Sequence, residues 1–379
     1  DSAEHLRWIR AAEEALAQCT ERIGDGTDQR AGLQRGCARR DRAAVPAPPL
    51  GARRRQDDRW REGADVLIAD IGMPGRDGYD LVDELRLVVF PEFAHAAPVF
   101  ATVAELLDKL AIPIPNEHTE RLAQKARELD IYIQSGSMLE SDSRWAGVVF
   151  NTTCLIGPEG ILYKYRKVNP WIPFEVHASP HDIDGYDEPL FPVADTPIGR
   201  IGCAICYDWV FPEAIRQLAA NGAEVLVRVS AYMDPWGATE PMDWWTIVNR
   251  CRALENTAYV VAANQGASLK HYPPYSWPGG SQVIDYDGRI LAQASPGPGE
   301  RIVVAPVDIS ALRHERDVRR GHHMLAHLRT EAYPVYGEHR YPPRKSDASN
   351  ALLELSYEEN NLLIDGAKRT LNHTTSQQS

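Results

Sequence analysis

The sequence predicts an α/β layered sandwich, and three observations carry the prediction. Short apolar runs of strand length alternate with runs whose apolar residues recur at helical spacing. Pro158-Glu-Gly160 and Tyr286-Asp-Gly288 are hairpin turn signals, with glycine free to take positive φ. Hairpins mixed with crossover helices belong to layered α/β architectures.

The elements follow in order. Residues 1–63 open with Leu6, Ile9, Ala12 and Leu16 at helical spacing, then become rich in Arg, Ala, Gly and Pro. The stretch 43–55 has no period and reads as linker or disorder, so 1–63 is expected to be an extension. Residues 64–86 pair an apolar strand with a short amphipathic stretch. From 87 onward, strands are expected at 87–90, 131–134, 148–156, 161–166, 200–205, 225–229, 259–262, 282–286, 290–294 and 301–307. Helices are expected at 119–129, 213–220 and 244–256, giving a main domain over 87–335. Residues 336–379 are polar except for one amphipathic patch with Leu352, Leu353, Leu355 and Tyr357. That tail is either disordered or an arm laid on a neighbouring subunit.

Composition excludes some function classes. A chain of 379 residues with 44% hydrophobic content supports a sizeable core. Its net charge of −12 argues against nucleic acid or an anionic membrane as a main partner. No run approaches the ~20 apolar residues of a membrane span, and the first residues lack a signal-peptide core. Six cysteines in a chain this long do not make a disulfide framework, so a reducing cytoplasm is expected.

Three strand ends carry chemistry. Ile201-Gly-Cys-Ala-Ile-Cys206 runs from an apolar strand into a helical stretch, with a thiol at the corner beside free backbone N–H groups. Cys203 and Cys206 are an odd number apart and face opposite sides of a strand. Cys206 stands at the strand end, while Cys203 lies in the apolar run as a small buried hydrophobe. Zinc would need a second ligand pair, and His177 with His181, or His322 with His323, read as solvated, so no metal or organic cofactor is expected. Glu92 ends Leu-Val-Val-Phe-Pro; by itself it could be a solvated acid. Lys167 ends the strand before Val-Asn-Pro-Trp171 and by spacing alone could be merely exposed. Glu175 is a further acid close by. Acid, base and thiol at successive strand ends can serve as proton carrier, electrostatic stabiliser and nucleophile.

With these residues in place, the chain from 87 to about 335 resembles the nitrilase superfamily of carbon–nitrogen hydrolases. The resemblance rests on Phe90-Pro-Glu92, Tyr165-Arg-Lys167, Gly202-Cys-Ala-Ile-Cys-Tyr-Asp208 with Phe211-Pro-Glu-Ala214, Arg252 through Asn264, and Gly280-Ser281 before Asp287-Gly288. It implies a four-layer αββα sandwich. It also implies Glu92 as general base, Lys167 as oxyanion stabiliser, Cys206 as nucleophile and Glu175 as a supporting glutamate, with the Tyr207 backbone N–H as a second oxyanion donor. Cys206-Tyr-Asp208, Arg166 through Glu175 and Val225 through Pro235 are similar to the aliphatic amidase and formamidase branch. A small linear amide is therefore the expected substrate, ahead of N-carbamoyl amides and nitriles. Trp171, Tyr232 and Trp236 are expected to line its pocket, and the family likeness suggests a homodimer or larger assembly.

The N-terminal side departs from that family. Asp65-Val-Leu-Ile-Ala-Asp-Ile-Gly-Met-Pro-Gly resembles the phosphoacceptor strand of a response-regulator receiver, with Asp70 in the acceptor position. The acidic pair and lysine that complete a receiver are not recognisable around it. The segment 64–86 is therefore either a fused fragment or a strand and helix standing in for the unit that normally opens the sandwich. The alternative from another class is a regulatory protein without turnover.

Overall fold

Residues that cannot be exposed on either side of a strand force a layered solution, and here two six-stranded sheets stack with helices outside. The computed structural model describes residues 63–69, 85–96, 100, 102–171, 175–233, 235, 237–266, 277–297, 299, 301–337 and 356–376. The first sheet contains β1 (Gly63–Ala69), β2 (Leu85–Val89), β3 (Tyr132–Ser141), β4 (Val149–Gly157), β5 (Gly160–Arg166) and β12 (Ile302–Asp308). Its order is β12-β1-β2-β3-β4-β5. The second contains β6 (Val193–Thr196), β7 (Gly199–Ile205), β8 (Val225–Ser230), β9 (Tyr259–Asn264), β10 (Gln282–Ile284) and β11 (Ile290–Gln293), ordered β11-β10-β9-β8-β7-β6. The helices are α1 (Val103–Lys109), α2 (Glu117–Leu129), α3 (Pro212–Ala220), α4 (Trp244–Asn256), α5 (Ile309–Val318) and α6 (Tyr357–Ser376).

The central strands are buried on both faces, which is why they read as continuous apolar runs. Leu87 and Val89 of β2 point between the sheets and meet Ile205, Val227 and Val261 of the second sheet. Val88 points the other way, with Ile133, Cys154 and Ile156, onto Ala123 and Ala126 of α2. Asn116 caps α2 by accepting from the N–H groups of His118 and Thr119 at 2.8 and 3.0 Å, worth about 1 kcal/mol. On the second sheet, Ile215 and Leu218 of α3 close the outer face of β7 and β8. The sandwich is the αββα arrangement expected.

The segment likened to a receiver has a structural role. β1 pairs antiparallel with β12, Gly63 opposite Asp308, and parallel with β2, Asp65 opposite Leu85. The strand thus fills a place inside the first sheet, and the boundary drawn between 86 and 87 falls within β2. Asp70 and the expected helical stretch before Leu85 lie outside the described residues. So do Leu352, Leu353 and Leu355 of the tail, which goes on to form the 20-residue α6. The short strand β6 and helices α1 and α5 are additions to the expected elements. No helix among the described residues is long and apolar enough to cross a membrane.

Candidate active site

Glu92, Lys167 and Cys206 meet where the strands of both sheets end. β2 stops because Pro91 has no N–H for the ladder. The chain then bridges to the other sheet, the Glu92 N–H donating to Ser230 O at 3.3 Å. Gly136 makes this turn feasible: a Cβ there would stand 2.6 Å from Pro91 O. The Glu92 carboxylate is buried and filled with donors. Oε1 accepts from Asn151 Nδ2 at 2.9 Å and Lys167 Nζ at 2.9 Å, and Oε2 from the Ala231 N–H at 2.9 Å.

Lys167 follows the last residue of β5 and is fully buried. Its N–H donates to Asn151 O at 2.9 Å, so Asn151 fixes both the acid and the base. Lys167 Nζ also donates to Glu175 Oε1 and Oε2, at 2.7 and 3.0 Å. Glu175 is held in turn by the Trp171 N–H. Lys164, three residues earlier on β5, points its ammonium to a different carboxylate. It is held elsewhere: Nζ contacts Glu140 Oε1 at 2.7 Å, in an ion cluster shared with Arg166.

Cys206 opens a five-residue 3₁₀ helix, Cys206–Val210, and sits at φ 45°. A non-glycine residue in that left-handed region stores about 1–3 kcal/mol, paid elsewhere in the fold. Asp208 secures the corner. Its Oδ2 accepts from the Ile205 N–H at 3.0 Å and Tyr165 OH at 2.7 Å, and its Oδ1 from the Asn169 N–H at 2.8 Å. The helix that follows, α3, starts only at Pro212, so the short turn rather than a long helix dipole frames the thiol. Cys206 is buried, only 6% exposed. Cys203, fully enclosed on β7, is core.

Electrostatics follow from burial. Desolvation raises Glu92 above the ordinary carboxylate range, and Lys167 only partly offsets it. Burial and the Glu92 charge push Cys206 up to about 12. Burial would lower Lys167, but Glu175 and then Glu92 outweigh it and keep the ammonium charged. Burial would raise Glu175, yet Lys167 holds it below its usual value. Glu92 and Cys206 lie close enough for each to act on the other's ionisation, so a proton can pass between them. Nothing in this set of side chains requires a cofactor for that transfer.

Other expected positions divide. Tyr207 is half-buried in the first turn of the 3₁₀ helix, where backbone N–H groups lack an intrahelical carbonyl. Trp171 is half-buried beside Glu175. Tyr232 is buried, its N–H donating to Asn264 Oδ1 at 2.7 Å and its ring stacked on Trp245. Trp236 lies outside the described residues. His177, read as solvated, is buried with Nε2 3.5 Å from Glu175 Oε2, because Ala178 N–H pairs with Val149 O and pulls the loop onto β4. Asn151, Asp208 and Ser230 were not singled out for a role. Asn151 and Ser230 carry one signal, a polar residue within or just beyond an apolar strand, while Asp208 stands inside the cysteine motif.

Comparison with known proteins gives the family and the fold. The family model for carbon–nitrogen hydrolases matches residues 81–317. A formamidase of Bacillus thuringiensis (strain Al Hakam) is 32% identical over 226 residues, 59% of this chain and 62% of the relative. A formamidase of Bacillus cereus (strain Q1) matches to the same extent, so the chain spans about 62% of the length of these curated relatives. Among solved structures, a Saccharomyces cerevisiae member of branch 10 of the nitrilase superfamily superposes with a TM-score of 0.55 at 23% identity, covering 69% of this chain and 95% of that one. An amidase from Nesterenkonia sp. AN1, solved with the acetamide moiety of fluoroacetamide on its active-site cysteine, gives 0.54 at 20% identity, covering 73% and 98%. Identities this low speak for the fold alone.

Proposed function

The chain belongs to the carbon–nitrogen hydrolase family, and from that premise we propose that it hydrolyses a small linear amide to a carboxylic acid and ammonia through a thioester on Cys206. The observation that carries the reading is the convergence of Glu92, Lys167 and Cys206 in one water-poor site, with Glu175 on the far side of the lysine.

In this reading Glu92 takes the thiol proton and the sulfur attacks the amide carbon. Lys167 and the Tyr207 N–H hold the resulting oxyanion. Protonated Glu92 gives its proton to the departing nitrogen, the C–N bond breaks, and ammonia leaves a thioester. Glu92 next takes a proton from water, whose oxygen attacks the thioester carbon; the C–S bond breaks and Glu92 returns the proton to sulfur. One carboxylate performs both transfers, which its raised pKa suits. Glu175 keeps Lys167 charged and placed, and Trp171 and Tyr232 border the acyl group. The formamidase relatives favour a short acyl chain.

Ammonia release by the purified chain from formamide, acetamide and longer amides, set beside nitriles and N-carbamoyl amines, tests the proposal. Release from the amides alone supports it; no release from any of them removes it. A homodimer is part of the same proposal. Trp244, Ile247 and Leu254 form an exposed apolar stripe along α4 that a second copy would cover.

A further inference from the structure

Arg228 and Ser230 stand two residues apart on β8, so their side chains leave the same face of the sheet. That face is covered by the Cys206–Val210 turn and by α4. The Arg228 guanidinium lies 5.5 Å from the Trp209 ring, 5.3 Å from Tyr232 and 4.2 Å from Trp245. It is fully buried. Nη1 donates to Asn249 Oδ1 at 2.6 Å, and Asn249 Nδ2 passes the chain to Gln282 Oε1 at 3.1 Å. Nε has no hydrogen-bond partner, and among the described residues no carboxylate forms an ion pair with this cation. Ser230 Oγ is buried with no other hydrogen-bond partner and faces the Cys206 sulfur.

A buried cation without a counter-charge is costly, and a fold that keeps one has a negative charge for it to meet. The site supplies the occasion. Glu92 and Glu175 set two carboxylates against the single ammonium of Lys167. When Glu92 takes the thiol proton, its negative charge moves onto the Cys206 sulfur, while the lysine stays committed to Glu175. We infer that Arg228 and Ser230 are a positioning pair for that thiolate: the Ser230 hydroxyl donates to the sulfur, and the guanidinium behind it supplies the positive charge Lys167 cannot spare. The inference rests on Cys206 being the nucleophile. No new chemical step is added; the proton still passes from sulfur to Glu92, and the pair favours the charge on sulfur.

The neighbouring charges are consistent with this. Glu92, Lys167 and Glu175 face Cys206 from the ends of β2 and β5 and from the loop beyond. Burial pushes Arg228 down to about 10, and Cys206, Tyr232 and Glu92 oppose the fall. Arg252 of α4 faces Arg228 with like charge but is engaged by the Trp209 and Val210 carbonyls and by Glu255.

The test is the pH dependence of Cys206 alkylation by iodoacetamide in the full chain, with the modified peptide identified by mass. Arg228→Met should raise the midpoint by about one pH unit, and Arg228→Lys should restore most of the shift. Ser230→Ala, a small change, should raise it by about half a unit. A folded Arg228→Met or Ser230→Ala protein with the wild-type midpoint overturns the inference. Should Arg228→Met not fold, Ser230→Ala decides by the same criterion. Ammonia release by Cys206→Ala would instead remove the nucleophile itself, whatever the midpoints.

Discussion

Asp208 accepts two hydrogen bonds from Asn169, from its N–H at 2.8 Å and from its Nδ2 at 3.0 Å, and so ties the cysteine turn to the segment that carries Lys167. Cys206 and Lys167 are thereby placed by one carboxylate that touches neither sulfur nor ammonium. Asp208→Asn keeps the size but puts an amide where the Oδ atoms now accept from four donors. Each orphaned partner costs about 1–3 kcal/mol. Kinetics and thermal melts of this variant should show kcat lowered at least about tenfold, KM changed little and the melting temperature reduced. Wild-type kcat in a folded variant would mean that the turn holds itself.

Lys167 and Lys164 separate structural from catalytic charge. Lys167→Met strands the buried Glu92 and the half-buried Glu175, which costs about 3–5 kcal/mol, besides the roughly hundredfold loss of kcat for a missing oxyanion donor. A double variant, Lys167→Met with Glu175→Gln, removes one of those carboxylates. It should recover part of the melting temperature and none of the turnover. Lys164→Met leaves Glu140 paired with Arg166 at 2.7 Å and should keep wild-type kcat. Turnover regained by the double variant would show that Lys167 is scaffolding.

Much of this arrangement was legible in the chain, because its signals are local. Pro91 ends a strand beside Glu92, an alternating strand delivers Lys167, and the odd spacing of Cys203 and Cys206 separates core from corner. The pairing of β1 between β12 and β2 was not legible, since an apolar strand carries no mark of its distant partner. Nor were Asn151 and Arg228, each a polar residue in an apolar run whose purpose lies in what the fold lays over it. His177 was misread for the same reason: a histidine among prolines and acids gives no sign that a β4 carbonyl will draw it inside.

The two cysteines give the cleanest contrast. Cys206→Ala should lose turnover by several orders of magnitude with little change in melting temperature. Cys203→Ala leaves a small void between the sheets, costing about 1–2 kcal/mol, and should remain active. Inactive Cys203→Ala beside active Cys206→Ala would reverse the assignment.

The α4 stripe predicts assembly. Ile247→Glu with Leu254→Glu places charge on two exposed positions a helical face apart, so the fold should survive. Light scattering should then report a mass near that of one chain where the wild type reports at least two. Equal masses for both proteins would leave the stripe without a second copy.

Acidity acts on stability and turnover through different carboxylates. Glu140 and Glu175 have folded pKa values below 4.5, so near that pH the folded chain binds fewer protons than the unfolded one. Their stabilisation is present above 4.5 and is lost as pH falls through their lower folded values. Glu92 runs the other way: its folded pKa is raised, so its contribution is present below 4.5 and fades as pH rises through the folded value. As general base it must be ionised, so the acid limb of kcat/KM should lie above the ordinary carboxylate range, at a pH where melts show the protein still folded. An acid limb that coincides with unfolding would show that lost structure, and not protonation of Glu92, sets the lower edge of activity.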